Sequence, residues 1–159
     1  MANSLHFDIE LLETDLRDTI KKNIKNKEVI EKFGEIHLVP IDSDFNSQIK
    51  IPAVWIEVQN DGPYVQAQED IEIEPYSRFS VMLETYTNGK NRRTMNMRLA
   101  RFIENILQTN QQLKNYYNRG LNLEYDRELS TPIENANRRQ ARLSGIVDNA
   151  RKLIYNKER

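Results

Sequence analysis

Carboxylates, arginines and one tryptophan are the side chains of this 159-residue chain that could do chemistry. Glu57, Glu72, Glu74 and Glu84 fall on strand-like or acidic segments. Gathered on one sheet face, they would offer oxygen ligands to a divalent cation, the arrangement a metal-dependent nuclease needs. No lysine follows them at a spacing that would set it beside the same site. Charged side chains on strands mostly face water, so the favoured reading is a solvated strand face, with the nuclease as its rival. His6 and His37 lack the spacing of metal ligands, and His37 on a short apolar run reads as a satisfied structural histidine. There is no cysteine, hence no disulfide, thiolate zinc site or cysteine nucleophile. The five glycines form neither a phosphate loop nor a dinucleotide fingerprint, and no serine sits in a nucleophile elbow. No catalytic, cofactor-binding or metal-binding residue is assigned.

The arginines suggest contact instead. Lys90, Arg92, Arg93, Arg98 and Arg101 cluster in a polar turn and the start of a helical pattern. Arg138, Arg139 and Arg142 form a second cluster. Such groups suit phosphate, but a sequence pI near 6.2 is far from the value above 9 expected of a dedicated nucleic-acid binder. Pairing between subunits with the acidic half of the chain explains them equally well. Residues 1–75 hold 7 Lys/Arg against 16 Asp/Glu, including Glu69, Asp70, Glu72 and Glu74. Residues 76–159 hold 16 against 8. Opposite charges on two flanks would favour head-to-tail docking, which closes into a ring. The plainer alternative is that both sets mix on one surface. Trp55 is either an interface anchor or, the favoured reading, a cover for the sheet beneath a helix.

These residues need elements to position them. Ile9, Leu12, Leu16, Ile20 and Ile24 recur every three or four residues and predict an amphipathic helix over Asp8–Lys25, with acids early and lysines late, as the dipole favours. Glu28–Phe33 continues it or forms a separate turn ended by Gly34. A short strand is expected at Glu35–Val39 and a loop over Ile41–Gln48. A half-buried strand follows at Lys50–Gln59, with Val54, Ile56 and Val58 on one face and a closing turn at Asn60–Pro63. Tyr64–Glu74 reads as an edge strand or a loop. From Tyr76 a long strand presents Phe79, Val81, Leu83 and Thr85 on one face. Asn88-Gly89 turns the chain, Thr94 is a candidate cap, and Met95, Leu99, Phe102, Ile103, Ile106 and Leu107 form a second helical stripe. Leu121–Tyr125 is a strand, Asp126–Asn137 a loop, and Arg138–Asp148 and Lys152–Tyr155 are strands.

The expected fold class is α+β, a mostly antiparallel sheet with two amphipathic helices packed on one face, in a single domain over residues 1–159. Met1–Lys21 carries acids throughout and is not expected to be a signal peptide. No stretch approaches the length of a membrane span.

Tyr76 and Tyr86-Thr87, the helix Arg98–Leu107, the segment Gly145-Ile146-Val147-Asp148, the Ile154-Tyr155 end and the strand Pro52–Ile56 together resemble the tail terminator, or tail completion, proteins of long-tailed bacteriophages. The resemblance spans about residues 5–155; Tyr64–Glu74 and Asp126–Asn137 have no counterpart in it. It implies a structural subunit of the virion, assembled in the host cytoplasm. That subunit forms a homo-oligomeric ring, usually a hexamer, which caps the tail tube and meets the head connector. Expected partners are other copies of the chain, the tail tube protein, the neck proteins and transiently passing DNA, with no membrane. A head-closure or neck protein is the alternative. The candidate contact residues are then Lys90, Arg92, Arg93, Arg98, Arg138, Arg139, Arg142, Glu69, Asp70, Glu72, Glu74 and Trp55.

Overall fold

A computed structural model describes residues 9–40, 49–63, 76–110, 121–129 and 136–148. The expected helix forms as α1, Ile9–Ile24, which buries Leu12, Leu16, Ile20 and Ile24. The chain then breaks and restarts as α2, Lys27–Phe33. The Asn26 side chain accepts a hydrogen bond from the Glu28 amide at its start, and Gly34 ends it at φ 82°, a conformation open to glycine. The strands are β1 (His37–Leu38), β2 (Ala53–Pro63), β3 (Tyr76–Asn88), β4 (Asn122–Leu129) and β5 (Ala136–Asp148), with α3 (Arg92–Thr109) between β3 and β4.

The five strands among the described residues form one sheet in the order β1-β2-β3-β5-β4. Only β1 runs parallel to its neighbour; the other three pairings are antiparallel. The fold is therefore α+β. Alternation sets its core. Val54, Ile56 and Val58 of β2, Phe79, Val81 and Leu83 of β3, and Ala141, Leu143 and Val147 of β5 point to one face. There they pack with Leu12, Leu16 and Ile20 of α1 and Leu99, Ile103 and Leu107 of α3. α1 lies over β2, and α3 over β3 and β5. Polar side chains on α1 also secure the β1–β2 margin. Arg17 donates to the Val39 carbonyl at 2.8 Å, and Glu13 accepts from the Val58 amide at 2.9 Å. Burial holds the Arg17 guanidinium below its ordinary pKa, against the opposing pull of Glu13 and Asp18.

Four expectations are corrected. Asn60–Pro63 does not close β2: the strand runs through Pro63 over a bulge between Asn60 and Gly62. Gly62 there adopts φ 91°, and the Asn60 side chain accepts from its amide, absorbing the turn chemistry within the strand. Thr94 does not cap α3. The cap position is Asn91, whose side chain makes no capping bond, while its carbonyl accepts from Met95 at 2.9 Å. Asp126–Asn137 is not one loop, because β4 continues to Leu129 and β5 begins at Ala136. Asp126, Arg127 and Glu128 sit in β4 because Arg139 and Gln140 of β5 supply their partners. Lastly, Trp55 does not lie beneath a helix. It packs with Val39, Ala53 and Tyr86, and Ala53 and Trp55 alternate with the helix-facing Val54 and Ile56. The Tyr64–Glu74 segment, the Ile41–Gln48 loop and the Lys152–Tyr155 strand lie outside the described residues.

Candidate interaction surface

Period-two alternation separates the second arginine cluster. Arg138 and Arg142 share the sheet face with Tyr86 and Met82, their cross-strand partners in β3, and with Glu84, whereas Arg139 pairs with Thr85 and shares the helix face. Each arginine is committed within the chain. Arg138 donates through Nε at 2.7 Å and through Nη2 to Oε1 of Glu84. Tyr86 donates its hydroxyl to Oε2 of the same carboxylate at 3.2 Å. Glu84 and Tyr86 are both buried. Burial pushes the Tyr86 phenol well above its ordinary pKa, and the Glu84 charge adds to the effect while Arg138 opposes it. Burial lowers the Arg138 guanidinium, but its bonds to Glu84 outweigh that and its pKa ends raised.

Arg142 bridges Glu124 at 2.9 Å and Asp61 at 3.7 Å. Asp61 and Glu124 also line a cleft of about 230 Å³ with Arg78, Asn122, Ser144 and Ile146. That is below the roughly 300–1,000 Å³ typical of small-molecule sites, and two of its charges are already matched.

On the helix face, Arg139 pairs with Asp126 at 2.9 Å and with Glu128 at 3.2 Å; Glu128 also accepts from Arg93 at 2.8 Å. Beside this ladder lies Glu104 of α3, whose Oε1 is buried and finds no donor among the described residues. Burial holds its carboxyl above the usual carboxylate range, Asp126 adds to that, and Arg139 and Arg101 oppose it. The native state therefore binds this proton more tightly than the unfolded chain does. Its contribution is fully present below the ordinary carboxyl pKa and is lost as pH rises through the raised native one. Glu104→Gln keeps the shape without the charge. It should be more stable than the parent at pH 7 by about 0.5–1 kcal/mol, with a flatter pH profile above about pH 5. Melting temperatures of both proteins across pH check this; a Glu104→Gln protein less stable at pH 7 would show that the carboxylate is held by Arg139 after all.

The first arginine cluster is different. Lys90, Arg92, Arg98 and Arg101 are exposed, and no ion pair among the described residues includes them. Among the described residues the Arg92 side chain donates only to the Gly89 carbonyl, at 3.3 Å. Arg93, although paired with Glu128, leaves 75% of its side chain exposed. Met97 beside them is also exposed. The first turn of α3 contains no acid, so its arginines face the positive end of the helix dipole, the less favourable placement.

Glu69, Asp70, Glu72 and Glu74 lie outside the described residues. Glu57 is exposed, as expected of a solvated strand face, but that expectation is corrected for Glu84, which is buried because Arg138 and Tyr86 on the same sheet face take up its carboxylate. Among the described residues no three His, Cys, Asp or Glu side chains gather as a metal group. No helix among the described residues is long and apolar enough to cross a membrane.

One residue with a central role escaped the sequence reading. Asn96 of α3 is fully buried. It accepts from the Thr85 hydroxyl and donates to the Thr85 carbonyl at 3.0 Å and the Asn137 carbonyl at 2.7 Å, so it ties α3 to β3 and β5. An amide set among Met95, Leu99 and Ala100 was the available signal.

Comparison with protein-family models finds no match, and comparison with curated proteins finds none either.

Proposed function

We propose that this chain is a virion structural subunit, a tail terminator whose copies form a ring that caps the tail tube and presents a surface to the head connector. One observation carries the reading. The segments that resemble that family are scattered in sequence, yet three of them lie side by side in the sheet. Ala53 in the Pro52–Ile56 segment pairs with Tyr86, and Tyr76–Phe79 pairs with Asp148–Gly145. The helix Arg98–Leu107 lies within α3, which packs over two of these strands. A likeness of disconnected fragments would carry little weight; here it follows β2, β3 and β5, the contiguous centre of the fold. The role is structural rather than catalytic, its partners being other copies, the tail tube, the neck proteins and passing DNA.

Sedimentation over a wide concentration range, with negative-stain images of the heaviest species, tests this reading. Closed rings are expected, alone or on the ends of tail tubes. A protein that stays monomeric at every concentration and leaves tail tubes uncapped would overturn it.

A further inference from the structure

We infer that the outward face of α3 with its preceding turn, marked by Lys90, Arg92, Arg98 and Arg101, is the cationic half of the contact between two copies of this chain. The inference rests on the ring reading and narrows it to one surface. Three observations carry it.

The first is how the chain uses its own charges. Of the six ion pairs among the described residues, five join partners that both lie after residue 76. Only Arg142–Asp61, the longest, reaches back to the first half. Pairing among the described residues thus consumes Arg138, Arg139 and Arg142, and leaves Lys90, Arg92, Arg98 and Arg101 outside every described ion pair.

The second is where the acidic excess falls. Residues 9–40 carry seven acids and six bases and are close to neutral; residues 41–75 carry eight acids and one lysine. Six of those eight acids lie outside the described residues; the two described ones, Glu57 and Asp61, are on β2, beside the short margin strand β1, whereas α3 lies over β3 and β5. Opposite charges on different flanks favour a head-to-tail contact, which two-fold pairing of like surfaces would not satisfy.

The third is the placement of the arginines on α3. Thr94, Arg98, Arg101 and Asn105 recur at spacings of four, three and four, are all exposed, and so form the ridge opposite the buried stripe. Bases in and before the first turn oppose the helix dipole, a cost that an anionic partner reverses. The occupant is a second copy rather than nucleic acid because the complementary charge is built into the same chain, whose pI is near 6.2.

The test is charge reversal in the full chain. Lys90→Glu/Arg98→Glu changes two exposed side chains outside every described ion pair, so circular dichroism should be unchanged. Self-association at low salt should weaken roughly tenfold or more, and the salt sensitivity of the parent's assembly should shrink. Adding Glu69→Lys, Asp70→Lys and Glu72→Lys to the same chain should restore assembly. Lys21→Glu/Lys22→Glu on α1 should leave it intact. A parent that assembles while Lys90→Glu/Arg98→Glu assembles equally well overturns this contact and leaves the ring standing. Failure of the combined chain to recover overturns residues 41–75 as the occupant. Loss of duplex-DNA retention without loss of assembly assigns the face to nucleic acid instead. A parent that never associates removes the ring reading and this contact with it.

Discussion

Replacing Glu84 with alanine should destabilise the protein by about 3 kcal/mol, the lower end of the 3–5 kcal/mol typical when one partner of a buried charge pair is removed. The lower end applies because the Arg138 side chain keeps 27% of its surface in water, while that of Glu84 keeps 8%. The substitution strips the guanidinium of its carboxylate and the Tyr86 hydroxyl of the Glu84 oxygen in one step, and breaking one side of a buried polar network costs more than the bond itself contributes. Glu84→Gln, which keeps one acceptor, should cost less. Glu84→Ala combined with Arg138→Ala should cost less than the sum of the single changes, because the second removes the charge that the first strands. Chemical denaturation with an unchanged m-value reads these differences. Trp55 is the only tryptophan; it pairs with Glu84 across β2 and β3 and packs with Tyr86. Its emission therefore reports this corner of the sheet directly, and should shift red in Glu84→Ala before global unfolding. A loss of 1 kcal/mol or less would place the pair with ordinary surface ion pairs.

That network also marks where sequence reading stopped. Alternation along β2 and β3 identified the helix-facing side chains residue by residue, because a period of two is local. The neighbour of each strand is not local. β5 inserts between β3 and β4, and only that pairing sets Arg138 beside Glu84, 54 residues away. Read along the chain, Arg138, Arg139 and Arg142 are one basic patch. In the sheet they fall on two faces and meet three different sets of acids. Trp55 was misplaced for a related reason: its strand face was legible, but nothing local told that Val39 and Tyr86 would cover it while both long helices took the opposite side. The α3 arginines needed no such information. A helix exposes the side opposite its apolar stripe, and Leu99, Ile103 and Leu107 defined that stripe from the start. The part of the candidate surface legible in the sequence is therefore the part set by helical period.

Gly145 is where the largest effect of a small change is expected. Its φ lies outside the left-handed region, unlike those of Gly34, Gly62 and Gly89, so backbone conformation does not require glycine there. Space does. A Cβ at this position would stand 2.5 Å from Cζ and 2.8 Å from Cε1 of Phe79, and 2.9 Å from Cδ2 of Leu121. Phe79 is its cross-strand partner and is fully buried, so its ring covers the place where a β5 side chain would stand. Gly145→Ala should cost about 2–3 kcal/mol, the upper part of the range for overpacking. Gly145→Val, with two more carbons against the same ring, should fail to fold at 37 °C. Phe79→Ala alone should cost about 3–5 kcal/mol through the cavity it opens. If the ring is the obstacle, Gly145→Ala should cost distinctly less in a Phe79→Leu background than in the parent, giving a favourable coupling in the double-mutant cycle. Equal costs in the two backgrounds would move the obstacle to Leu121, and a neutral Gly145→Ala would mean the ring does not lie over β5. The glycine that opens the Gly145–Asp148 part of the phage-family resemblance thus has a packing cause. It is the residue that lets β5 close on β3 beneath an aromatic ring, and with it the adjacency of strands on which the ring-subunit reading depends.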